Sequence, residues 1–176
     1  MDRRKIIISQ IAKYTILALS VFVLYILQST PGFLNILGIK PVLMLPFCIT
    51  LSMLDDTRYS YIVYVLGGML TDLSCGRVIG TYTIMLTLIC LLGIIAVKFF
   101  FRPSKRNFYL FSFIAMIIML TIDFSISFTM TGIYTGKIIY YIKNVILVSA
   151  YSALFSLMFN VYIDYINLRF LRFDAR

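Results

Sequence analysis

With 176 residues, 61% of them hydrophobic and only 13% charged, the chain carries more apolar side chains than a soluble core of its size can bury. Its formal charge of +9 comes from 16 Lys+Arg against 7 acids, a balance that in a soluble protein would suggest nucleic acid. The basic residues fall between apolar runs, which argues against nucleic-acid binding and for setting orientation in a lipid bilayer.

Taken in chain order, the apolar runs predict an all-α integral membrane bundle with six spans, at 6–28, 36–54, 59–73, 80–101, 108–130 and 142–163. The N-terminal MDRRKIIISQIAK resembles a signal-peptide flank, but the apolar run after it is too long for one, so it is expected to stay as the first span. Polar Gln28-Ser29-Thr30 before Pro31 ends that span. Pro41 suits a first helical turn of span two, and Pro46 inside that span is expected to kink it. Asp55-Asp56-Thr57-Arg58 and Ser74-Cys75-Gly76-Arg77 read as polar turns, and 102–107 as a basic loop after Phe99-Phe100-Phe101. The whole of 1–176 reads as one domain.

Alternate loops divide the cations unequally. Arg3, Arg4, Lys5, Lys13, Arg58, Lys98, Arg102, Lys105, Arg106, Arg169, Arg172 and Arg176 gather on one side, Lys40, Arg77, Lys137 and Lys143 on the other. The crowded side should be cytoplasmic and should hold both termini, which requires an even number of spans.

Candidate functional residues are few. All seven acids are aspartate, and His, Glu and Trp do not occur, so no enzymatic activity and no cofactor are expected. Asp72 falls at the C-terminal end of span three, where the helix dipole opposes a negative charge, and Arg77 in the adjoining turn is the natural local partner. An ion pair fixing the turn is the plainer account of Asp72; part of a binding or proton-linked site is the other. Asp123 should lie about 22 Å along span five and Asp72 about 20 Å along span three, at comparable depth. Gly67-Gly68 should let a neighbouring backbone approach closely, whereas Gly76, Gly80, Gly132 and Gly136 suit turns. Ser149, Ala150, Ser152, Ala153 and Ser156 could form a packing face on span six, and Cys48, Cys75 and Cys90 read as packing residues. In the tail, 164–176, the spacing of Arg169, Arg172 and Arg176 against Ile166, Phe170 and Phe173 predicts a short basic amphipathic helix on the membrane surface. Arg102, Lys105 and Arg106 would contribute to the same basic surface.

The order of small features carries a resemblance. Leu27-Gln28-Ser29-Thr30, then Lys40-Pro41, Arg58, and Gly68-x3-Asp72-Leu73-Ser74-x-Gly76-x3-Gly80 follow one another across a six-span layout. In this the chain resembles the rod shape-determining MreD family, although Arg77-Val78 departs from the small or Pro-Leu pair common there. The resemblance implies a bundle similar in fold to the substrate-binding S components of energy-coupling-factor transporters, with an outward-facing cavity. It also implies a non-enzymatic subunit of the bacterial elongation machinery in the cytoplasmic membrane. Its partners would be single-span MreC and, through it, RodA, a class B penicillin-binding protein and MreB. Gly68, Asp72, Gly76 and Gly80 are the positions that carry over; Asp123 has no assigned role. A vitamin-binding S component is the alternative implied by the shared fold, and a lipid-precursor flippase or small ion transporter is a third possibility.

Overall fold

The structure, a computed structural model, describes residues 3–30, 32, 34–35, 39–55, 57, 59–75, 80–99, 105–131 and 141–174. These form six α-helices: α1 (Arg3–Ser29), α2 (Met44–Leu54), α3 (Ser60–Cys75), α4 (Thr81–Phe99), α5 (Lys105–Thr131) and α6 (Val148–Asp174). A π-helical turn, Ile142–Leu147, leads into α6. Four stretches are long and apolar enough to cross a bilayer, Gln10–Ser29, Thr81–Phe99, Arg106–Ile126 and Val145–Phe170.

The surface is apolar in helical stripes. Ile84, Leu88, Leu92, Ile95 and Phe99 line the outside of α4, and Leu110, Ile114, Ile118 and Ile122 recur every four residues on α5. Water would not tolerate so continuous a belt, whereas lipid tails match it. The interior is correspondingly more polar than a soluble core, with Thr50, Ser52, Ser60, Thr71, Ser112 and Asn160 all buried. Several hydroxyls return a hydrogen bond to their own helix, as Thr50 does to Pro46 O at 2.6 Å and Thr71 to Gly67 O at 2.7 Å. This is the architecture of a multi-pass membrane protein.

The central element is α2. Met44 through Met53 are all buried, and the helix packs against each of the other five. Its 11 residues span only about 16 Å, half of a hydrocarbon core, so it is enclosed by protein instead of facing lipid. Its two ends set the directions of its neighbours. Gln28 of α1 meets the start of α2 and Lys13 of α1 meets its end, so the two helices run antiparallel. Phe47 and Phe159 meet edge to face at 5.4 Å where α2 packs on α6, and Tyr141 joins Thr121 and Phe124 at the α5–α6 hairpin.

Two expectations are corrected. The helix of span two begins at Met44, with 39–43 non-helical, so Pro41 stands outside it and Pro46 falls in its first turn. A first-turn residue has no partner within the helix for its N–H, so Pro46 removes no hydrogen bond and has no cause to kink the helix. The tail does not form a separate helix, because α6 continues unbroken through Ile163 to Asp174. Burial explains this: Ile166 lies in the core and Phe170 packs against it, so the apolar face assigned to the membrane surface meets the bundle. The 16 residues of α3, about 24 Å, lie within two residues of the expected 59–73 and are as short as that expectation.

Candidate functional site

Of the positions that the sequence singles out between Gln28 and Gly80, Gln28 and Asp72 lie at one end of the bundle, where they close helix starts that lack caps of their own. The start of α2 reads Val42-Leu43-Met44, with no side chain able to accept from the free amides. Gln28 supplies the acceptor from α1. Its Oε1 receives the N–H groups of Leu43 and Met44, each at 3.2 Å. Ser152 Oγ on α6 receives Val42 N at 2.8 Å.

Asp72 does the same for α4, more extensively. Gly80 is the N-cap of that helix, its carbonyl accepting from Ile84 N at 2.9 Å, and its φ of +104° lies where side-chain-bearing residues are strained. The amides of Gly80 and Thr83 donate to Asp72 Oδ2 at 2.9 and 3.2 Å, the Thr83 hydroxyl donates to the same oxygen at 2.6 Å, and Tyr82 N donates to Oδ1 at 2.8 Å. The carboxylate is almost fully buried, 1% exposed, and both of its oxygens are engaged. The dipole of α3 opposes a charge at this position, but the N-terminus of α4 favours it and supplies donors. Four donors at the start of α4 therefore hold Asp72; Arg77, the local partner expected from spacing, lies outside the described residues.

Close packing of α3 on α4 makes this reach possible. A Cβ added to Gly68 would stand 2.5 Å from Thr83 Cα, so any side chain would push the α4 backbone away from Asp72. Gly67 faces α2 instead, where a Cβ would meet Cys48 Sγ at 2.8 Å. The sequence reading missed Gly93, whose absent Cβ leaves room for Ser52 Oγ and Phe111. A single glycine in an apolar run carries no signal of its own.

The opposite end of α2 holds a charged cluster that the sequence reading also missed. Lys13 Nζ pairs with Asp55 Oδ2 at 2.6 Å, with Asp55 5% and Lys13 15% exposed in their side chains. The Tyr14 hydroxyl donates to the same oxygen at 3.1 Å and is also hydrogen-bonded to Thr57 Oγ1, which meets Ser60 Oγ at 3.1 Å. Tyr14 stacks at a tilt on Tyr59, ring centroids 5.4 Å apart. From sequence, Lys13 was an orientation charge and Asp55 part of a turn. Nothing local joins residues 42 positions apart.

Of the remaining described candidates, only Ser152 joins one of these two places, at the start of α2. Asp123 is half-buried on α5, which packs on α2, α4 and α6, whereas Asp72 is committed to the start of α4. Arg106 and Arg169 are exposed; Lys105 opens α5, and Arg172 falls in the last turn of α6. Gly76, Arg102 and Arg176 lie outside the described residues. Ser149, Ser152, Ala153 and Ser156 are fully buried on one face of α6, facing the bundle. Among the described residues there is no group of three His, Cys, Asp or Glu placed to hold a metal.

Where α1 and α3 end and the link enters α2, a cleft of about 510 Å³ opens, lined by Gln28, Ser29, Lys40, Pro41, Val42 and Ser74. Lys40 Nζ donates to Thr30 O at 3.2 Å across its rim. No protein-family model, curated protein or solved structure matches the chain.

Proposed function

We propose that the chain is a non-enzymatic membrane scaffold of the MreD type, a subunit of the bacterial cell-elongation complex that docks the single span of MreC and, through it, lateral wall synthesis. The observation that carries this reading is the ordered set Gln28, Lys40-Pro41, Gly68, Asp72 and Gly80. These residues supply the resemblance, and most of them work together at one end of the bundle: Gln28 on α2, Asp72 and Gly80 on α4. A pattern with so definite a packing role is one that a family sharing this fold would keep. The buried carboxylate supports a structural use of Asp72, since four donors leave its oxygens little capacity for substrate.

In this reading the bundle crosses the cytoplasmic membrane six times. Both termini are cytoplasmic, on the side of Lys13, Lys98, Lys105, Arg106 and Arg169, by the excess of basic residues there.

The test is affinity purification from native membranes in mild detergent, with protein and small-molecule mass spectrometry on one eluate. Recovery of MreC without a stoichiometric vitamin is the expected result. A bound vitamin with energy-coupling subunits and no MreC would overturn it in favour of an S component. Asp72→Asn separates the roles of that residue: lowered abundance in the membrane is expected for a helix cap, and unchanged abundance with lost cell-shape complementation would assign it a direct functional contact.

A further inference from the structure

Two hollows follow one another along the seam between α1 and α3. Near the middle of both helices is an apolar groove of about 380 Å³, lined on one side by Ala18, Leu19 and Phe22 and on the other by Leu66, Met69 and Leu70. Continuing toward the Gln28 end, the same helix faces carry Ile26 and then Ser29 on α1, and Leu73 and Ser74 on α3, at steps of three and four residues. There the seam opens into the polar cleft of about 510 Å³ beside Lys40. The order along the bilayer normal is thus hydrocarbon groove first, polar cleft at the helix ends.

The chemistry of the cleft favours acceptors. Gln28 Oε1 is occupied by two backbone amides, which turns its NH2 group, with two donors, away from α2. The Lys40 ammonium spends one donor on Thr30 O and has two more. Ser29 adds a hydroxyl at the exposed rim, and among the described residues no carboxylate lines the cleft. An ammonium and an amide facing an open hollow suit a phosphodiester, while the groove beneath suits a chain of methylenes and offers little to a polar ligand.

We propose that the α1–α3 seam is a binding site for an anionic phospholipid, with its phosphate held at Lys40 and Gln28 and one acyl chain lying in the groove beside Ala18 and Leu66. The site requires only that the protein sits in a bilayer, and so stands apart from the scaffold reading: loss of one leaves the other intact. The lipid belongs to the leaflet at the Gln28 end, and it bridges α1 to α3 where the described hydrogen bonds between those helices are few.

The experiment is native mass spectrometry of the full chain released from detergent, titrated with phosphatidylglycerol or phosphatidylcholine of matched chains. Inorganic phosphate and diacylglycerol serve as the separated halves of the ligand. A 1:1 complex with phosphatidylglycerol is expected to outlast that with phosphatidylcholine, and Lys40→Gln should weaken it about fivefold, the effect of one cation near an anionic surface. Ala18→Phe, which fills the groove, should weaken it as well, while phosphate alone fails to displace the lipid. Should Ala18→Phe not fold, Lys40→Gln decides the question, because Lys40 lies on the link outside every helix. Equal retention of the two lipids with no effect of Lys40→Gln would reduce the seam to ordinary lipid contact and overturn the proposal. Displacement by inorganic phosphate at equal concentration would also overturn it, leaving a site for a soluble anion.

Discussion

At the Gln28 end of the bundle, side chains serve the backbone of other helices; at the Asp55 end, side chains serve one another. Gln28, Ser152 and Asp72 accept N–H groups from the starts of α2 and α4, donors that no substitution except proline can delete. Lys13, Tyr14 and Asp55 form a side-chain cluster, each member of which can be replaced. Both arrangements answer one problem, the burial of polar groups in an apolar surrounding. They differ in what remains after a deletion. A lost cap leaves buried amides unsatisfied whatever else is changed, whereas a lost ion pair can be removed whole.

That contrast is open to test by reversible unfolding in mixed micelles. The largest effect is expected for Asp72→Ala, which strands the amides of Gly80, Tyr82 and Thr83 at the start of α4. A loss of about 4 kcal/mol is expected, with no recovery from any second-site charge change. Lys13→Met should come next, at about 3 kcal/mol, because it leaves the Asp55 carboxylate buried beside Tyr14 alone. Here the double variant Lys13→Met/Asp55→Leu should regain most of the loss. If the double variant is no better than the single, the pair is not separable from its surroundings and the contrast between the ends disappears.

Gly68→Ala should cost about 2 kcal/mol, since its Cβ meets the backbone of Thr83 and α4 must move to admit it. Because that movement also lengthens the bonds to Asp72, Gly68→Ala and Asp72→Ala together should cost less than their sum. Additive losses would show that glycine packing and the cap act separately. The smallest change, about 1 kcal/mol, is expected for Gln28→Leu, which removes one acceptor at a helix start that Ser152 still serves at Val42.

How much of this could be read beforehand follows from the range of each interaction. The long apolar helices were legible because a bilayer demands a long uninterrupted run, and α4 and α5 begin and end within three residues of the expected bounds. Asp72 was legible as an anomaly, a carboxylate at the wrong end of a helix dipole. The donors it meets were not, since they come from the start of a helix that opens nine residues later. The Lys13–Asp55 pair was hidden by the rule that made Lys13 an orientation charge.

By itself the sequence determined that the chain is helical, lives in a membrane and carries, between Gln28 and Gly80, scattered small and polar positions that do not belong to ordinary lipid-facing helix. Composition and apolar run length decide those points, because they concern each segment against its solvent. Only the tertiary structure decided that α2 is the enclosed centre, that Pro46 sits harmlessly in its first turn, and that the tail prolongs α6. It also decided which acceptor closes which helix. Those outcomes depend on the backbone amides left unpaired at a buried helix start, which must find an acceptor in space wherever the chain happens to supply one.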